Sequence, residues 1–275
     1  MNRFLTDMAA SSERRAQQAR RREPLPALMR RARERAPAPP LKLSPQGFDI
    51  IAELKLRSPA AGALGSADDD WLGRVRGYAR GGAAAVSVLT EPDRFDGSLE
   101  HLDAAAQALA PLGVPAMRKD FLVDPYQVWE ARACGAGGVL VILRMLDAAR
   151  IVELLDVAAA TGLFVLLEAF DAADLGLAQR LLSARATVHE QVLVGINCRD
   201  LQTLQVVPQR FAELAALLPP DRPGVAESGV QRAADAAQMA HLGYRLALIG
   251  SALMSTPDPA RLIAEMLEQG RKVQP

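Results

Sequence analysis

The sequence predicts a (β/α)8 barrel of the TIM type with an N-terminal helical extension, and three observations carry that prediction. Eight apolar runs recur along the chain, helix-like stretches separate most neighbouring runs, and charged or polar residues gather where the runs end. Eight strand–helix units in roughly 230 residues match the size of such a barrel, whose sites lie at the C-terminal ends of its strands.

The runs place strands near Ile50–Lys55, Ala84–Leu89, Pro115–Lys119, Gly138–Leu143, Leu163–Glu168, Val192–Asn197, Gly224–Glu227 and Leu246–Ile249. Their bodies are nearly free of charge, as expected for parallel strands covered on both faces. A charge at the last residue of such a run is costly unless it is paired or used. Glu53 and Lys55, Lys119 and Asp120, Glu168, Asn197 and Arg199, Glu227 and Ser228, and Gly250-Ser251 occupy those ends.

Residues 1–47 differ in composition, with Arg and Ala dominant and the block Arg14–Arg22 ahead of Pro24 and Pro26. Read helically, Phe4, Leu5, Met8 and Ala9 form one apolar stripe, and Ala27, Leu28 and Ala32 belong to a second short helix. Pro37, Pro39 and Pro40 end the segment. The division expected is therefore 1–47 as a helical extension packing on the barrel and 48–270 as the barrel. Asp7, Glu13 and Glu23 interrupt the basic run, which favours a solvated helix face over a nucleic-acid patch or an organellar signal.

The chain has 275 residues, half of them hydrophobic, with 32 residues of each charge sign. That suffices for one large core, and the balance points to neither nucleic acid nor an anionic membrane as partner. Cys134 and Cys198 form no disulfide framework, and His101, His189 and His241 lack ligand spacing, so no metal is expected. No apolar run reaches the ~18 residues that span a bilayer, and the start lacks a secretory apolar region, so a cytoplasmic location is expected.

Glu53 and Lys55 lie two apart on one strand and so project from one face, as an ion pair or as the beginning of a catalytic site. Lys119, at another strand end, is a candidate general acid. A neighbouring Lys55 and burial are expected to lower its pKa towards neutrality. Glu168 reads as a general base or as an ion-pair partner of Lys119 or Lys55. Glu227-Ser228-Gly229 and Gly250-Ser251 follow the last two strands, where backbone N–H groups commonly hold phosphate, and Ser58 can close the same pocket across the barrel seam. Phe95 and Phe121 either wall an aromatic substrate or pack beneath their own loops.

These residues resemble the indole-3-glycerol phosphate synthases of tryptophan biosynthesis. The likeness runs through Ile51-Ala-Glu-Leu-Lys55 with Ser58-Pro59, Ser87-Val-Leu-Thr90 with Phe95-Asp-Gly-Ser98, and Arg118-Lys-Asp-Phe121 with Asp124-Pro-Tyr-Gln127. It continues through Glu130–Ala136, Leu167-Glu168, Gly195-Ile-Asn-Cys-Arg-Asp-Leu201, Ala226-Glu-Ser-Gly229 and Ile249–Met254, covering about residues 48–255 in order. The resemblance implies conversion of 1-(2-carboxyphenylamino)-1-deoxyribulose 5-phosphate to indole-3-glycerol phosphate with loss of carbon dioxide and water. It implies no cofactor.

By that resemblance Lys119 protonates the ribulose carbonyl, Lys55 holds the substrate carboxylate or assists proton transfer, and Glu168 acts in the dehydration. Glu53, Asn197, Arg199, Glu227 and Ser228 orient the lysines and sugar hydroxyls. Ser58, Gly229, Gly250 and Ser251 bind the phosphate, and Phe95 and Phe121 flank the ring. The expected partner is this small phosphorylated substrate, with the protein a monomer or weak dimer. Two departures stand out: Ala60 where the family more often has Ser, and Phe170 where it often has His. A phosphoribosyl isomerase needs no lysine pair facing an aromatic carboxylate, and a barrel reduced to binding is expected to have lost one of Glu53, Lys55, Lys119 or Glu168.

Overall fold

The computed structural model describes residues 3–58, 62–63, 70–185, 190–200 and 203–273, with only the backbone of Ser58 and Ala63. Eight parallel strands close into a barrel: β1 Asp49–Leu54, β2 Ala85–Leu89, β3 Ala116–Lys119, β4 Gly138–Ile142, β5 Phe164–Ala169, β6 Val192–Asn197, β7 Gly224–Glu227 and β8 Leu246–Ile249. Each pairs with its sequence neighbours, and β1 closes on β8 with Asp49 opposite Leu246 and Ala52 opposite Ile249. The predicted strands agree with these to within a residue or two, and Lys55 lies one residue past the end of β1.

The period of two decides where each side chain goes. Ile50, Ala52 and Leu54 face the surrounding helices and join the larger apolar cluster. Ile51 faces the barrel axis and shares its apolar cluster with Met117, Leu140, Phe164, Leu166, Leu193, Val225, Leu246 and Leu248. Glu53, Lys119, Glu168, Asn197 and Glu227 continue these inward series at the C-terminal mouth, so the alternation that fills the barrel also delivers the polar groups to one place. At the opposite face the buried Asp49 accepts hydrogen bonds from Arg245 at 3.1 Å and Arg271 at 2.8 Å, an anchor remote from the mouth.

Two helices precede β1: α1 Arg3–Arg22 and α2 Leu25–Glu34. Leu5 and Met8 of α1 are buried in the same cluster as the barrel interior, with Phe4 and Ala9 packed against it. Leu28 and Ala32 of α2 pack on Tyr126, Trp129 and Ala133, which belong to the helix Pro125–Ala133. Arg14, Arg20, Arg21 and Arg22 are exposed, the solvated face expected of the basic run. Arg15 is different: it turns inward to the buried Asp120. No helix among the described residues is long and apolar enough to cross a membrane.

Candidate active site

The mouth holds one cavity lined by residues from all eight strand ends or the loops after them, together with Phe4 and Leu5 of α1. At its centre Lys119 Nζ lies 3.2 Å from Glu168 Oε2 and 4.0 Å from Glu227 Oε2. Lys55 Nζ lies 3.0 Å from Glu53 Oε1. The sequence left Glu53 and Lys55 as an ion pair or a site, and Glu168 as a base or a salt-bridge partner. Both are ion-paired here, and both pairs open on the same cavity.

Two glycines make this crowding possible. A Cβ on Gly195 in β6 would collide with the Glu227 carboxylate, and one on Gly250 would collide with Glu53 and stand 3.3 Å from Lys55 Nζ. Bare backbone at these points gives the neighbouring acids their seats. Gly229 takes a positive φ of 82°, natural for glycine, whereas Ser228 holds φ at 68° at a cost that only a fixed surrounding maintains. Cys198 Sγ donates to the Ser228 carbonyl at 3.2 Å and helps hold that turn.

Electrostatics separate the groups. Burial by itself would lower the Lys119 pKa, but the carboxylates of Glu168, Glu227 and Glu53 outweigh it and raise the ammonium above its ordinary value. The expected lowering of Lys119 towards neutrality is thus overturned: its neighbours at contact distance are acids, and Lys55 is engaged by Glu53. Burial likewise works against an ionised Glu53, yet Lys55, Lys119 and Arg199 hold it below the usual carboxylate range. Glu227 goes the other way, raised well above the ordinary value by burial and then by the Glu168 charge. Neither of its oxygens has a hydrogen-bond partner among the described residues.

Around this centre, Asn197 Oδ1 accepts from the Arg199 backbone N–H at 2.9 Å, and the Arg199 guanidinium donates to the Leu204 carbonyl at 2.7 Å. Phe121 contacts Phe95 at 6.1 Å between centroids and Phe4, edge-on, at 5.8 Å. Leu89, Leu140, Ile142, Phe170 and Leu248 line the same cavity with these rings and supply its apolar part. Ser228, Gly229, Gly250 and Ser251 line the cavity beside Lys55 and Arg199. The side chain of Ser58, and Ala60 and His189, lie outside the described residues. Of the sequence candidates with described side chains, all line this one cavity.

The sequence did not mark the apolar contributors Leu89, Leu140, Ile142 and Leu248, which are indistinguishable from barrel filler without the register. Phe170 was visible only as a departure from the family pattern. Arg144 stacks on its ring at 4.6 Å and is itself held by Asp171 and Asp174. Among the described residues no group of three His, Cys, Asp or Glu side chains is arranged to hold a metal ion.

The fold is shared with solved structures of distant sequence. A 3-hexulose-6-phosphate synthase from Salmonella typhimurium superposes with a TM-score of 0.62 at 13% identity, covering 82% of this chain and 99% of that one. Sequence relatives are much nearer. The indole-3-glycerol phosphate synthase of Parafrankia sp. (strain EAN1pec) is 41% identical over 255 residues, 91% of this chain and 90% of the relative. That of Nocardioides sp. (strain ATCC BAA-499 / JS614) is 42% identical over 220 residues, 80% of each chain. Residues 5–266 match the family profile described as indole-3-glycerol phosphate synthase. With that match and these relatives, the chain belongs to the indole-3-glycerol phosphate synthase family.

Proposed function

We propose that this protein is a carboxy-lyase that closes the indole ring of indole-3-glycerol phosphate from 1-(2-carboxyphenylamino)-1-deoxyribulose 5-phosphate. The observation that carries the reading is a lysine between two carboxylates, Glu168 at 3.2 Å and Glu227 at 4.0 Å, in a cavity that the rings of Phe4, Phe95 and Phe121 also line. The substrate has the same division: an aromatic ring at one end, and a ketose with a phosphate at the other.

In the first step the ring carbon that bears the carboxylate attacks the ketose carbonyl carbon. The carbonyl electron pair moves to oxygen, and Lys119 donates a proton there. A lysine kept charged by its neighbours is protonated whenever substrate arrives, and the developing alkoxide is basic enough to take that proton. The bond to the carboxylate then breaks, and its electron pair restores the aromatic ring as carbon dioxide leaves. Lys55, held by Glu53, is the cation that orients the carboxylate beforehand. The new hydroxyl leaves as water with a proton from the lysine side, and Glu168 accepts the proton lost from the adjacent methylene. One solvent proton is consumed per turnover, because a carboxylate departs as neutral carbon dioxide.

Asn197, Arg199, Glu227 and Ser228 orient the sugar hydroxyls and the lysines, and Phe95 and Phe121 flank the ring. Gly229, Gly250 and Ser251, with Ser58, hold the phosphate through N–H and hydroxyl donors. Lys55, Lys119 and Arg199 line the same cavity, cations that suit a substrate carrying both a carboxylate and a phosphate. Residues 48–270 form the catalytic barrel and 1–47 its extension. The protein works without cofactor or nucleic acid in the cytoplasm, as a monomer or weak dimer. Incubation with the substrate tests this: equal amounts of carbon dioxide and indole-3-glycerol phosphate are expected, and a folded protein that releases neither contradicts it.

A further inference from the structure

The arginine run of α1 contains one residue that behaves unlike its neighbours. Arg15 sends both terminal nitrogens to Asp120, at 2.9 Å to Oδ2 and 2.8 Å to Oδ1. Asp120 is the residue after Lys119, and its side chain is wholly buried. Besides Arg15, its carboxylate accepts from Thr90 Oγ1 at 2.8 Å, Arg118 Nη2 at 3.1 Å and the Phe121 N–H at 2.8 Å. Burial opposes ionisation of Asp120, yet the Arg15 and Arg118 contacts hold it far below the usual carboxylate range.

We propose that Arg15 is a positioning residue: its two-pronged grip on Asp120 sets the aim of Lys119 from outside the barrel. The inference rests on the role given above to Lys119.

The geometry of β3 supports it. The strand ends at Lys119, and the chain turns at once into Asp120 and Phe121. Arg118 faces away from the mouth, where it donates to the Gln127 carbonyl at 2.8 Å and contacts Glu130 at 3.2 Å. Asp120 is therefore held from the barrel side by Arg118 and Thr90 and from the extension side by Arg15. Loss of Arg15 leaves the barrel-side pull unopposed, and the peptide that carries Lys119 turns with it. The same helix grips the next residue, since Phe4 meets the Phe121 ring edge-on. A docking anchor alone needs neither a buried carboxylate nor two prongs. The exposed Arg20–Asp124 pair on the same helix, at 2.8 Å, is such an anchor.

The test compares Arg15→Met, Arg15→Lys, Arg20→Gln and Lys119→Ala for kcat, KM and thermal midpoint. A bidentate pair restricts orientation as a point charge does not, and a displacement near 1 Å in a reacting group costs about a hundredfold in rate. Arg15→Met is expected to lower kcat by about ten- to a hundredfold with KM changed less than about threefold, and Arg15→Lys by about three- to tenfold. Guanidinium ion at millimolar concentration is expected to restore part of the kcat of a folded Arg15→Ala protein. Arg20→Gln is expected to keep wild-type kcat. Wild-type kcat in Arg15→Lys and, where it folds, Arg15→Met overturns the proposal, as does an equal loss in Arg20→Gln. If Lys119→Ala itself retains full activity, the role of Lys119 fails instead, and the two failures are distinct.

Discussion

Gly195→Ala adds a single methyl group to the middle of β6 and is expected to act through a residue on the next strand. The added Cβ falls on the Glu227 carboxylate, which sits over the bare backbone, and stands 3.1 Å from Leu166 Cδ1. Glu227 is fully buried and cannot swing to solvent, and moving it outward brings it onto Glu168 and Lys119. Overpacking of this kind costs about 1–3 kcal/mol. For a chain of this size that is a fall in Tm of about 2–4 °C per kcal/mol. The fold survives, because native stabilities run to about 5–15 kcal/mol. The assay is a double-mutant cycle with Glu227→Ala, read by thermal or urea unfolding. Because the clash partner is then absent, Gly195→Ala is expected to cost at least 1 kcal/mol less in the Glu227→Ala background, about the coupling seen for residues in contact. Equal costs in both backgrounds would refute the seating of Glu227 over Gly195.

The remaining predictions concern the same buried charges. Asp120→Asn leaves Arg118 and Arg15 facing a neutral amide and is expected to destabilise by about 3–5 kcal/mol at pH 7. Because the Asp120 carboxyl is held below its unfolded value, its contribution is present above the ordinary carboxylate pKa near 4 and is lost as pH falls below it. The mutational difference in urea unfolding should therefore shrink below about pH 4, and a difference constant down to pH 3 would contradict the assignment. Glu227 has the opposite sign. Its raised carboxyl favours folding at low pH and loses that advantage as pH rises towards its folded value. Glu227→Gln, which removes the titration, is expected to gain in Tm relative to wild type as pH rises above the ordinary carboxylate pKa near 4, and an unchanged difference would count against the upward shift.

The strand plan was legible because each strand is a short apolar run that closes on a polar residue, and the barrel imposes one geometry on all of them. Glu53, Lys119, Glu168 and Glu227 stood out for the same physical reason: a charge at the end of a buried run has few explanations besides pairing or use. What escaped was set by contacts distant in sequence. The direction of the Lys119 shift depends on which neighbour lies at contact distance: the sequence weighed Lys55 beside it and left Glu168 as an optional partner, and the fold places Glu168 at 3.2 Å. Arg15 was hidden because five other arginines share its helix and nothing local separates the one that turns inward. Gly195 looked like an ordinary strand glycine until the register set the Glu227 side chain over it.

The role of Lys119 as the acid is tested most directly by the rate of indole-3-glycerol phosphate formation by the wild-type protein beside Lys119→Met, with both shown to be folded. Methionine keeps much of the length of lysine and removes its proton and charge. Turnover by the wild type is expected, with a loss of about 10²–10⁴-fold in kcat for the variant, the contribution of a positioned general acid. A variant within a few-fold of wild type would contradict Lys119 as the acid, and an inactive, folded wild type would contradict the reaction itself.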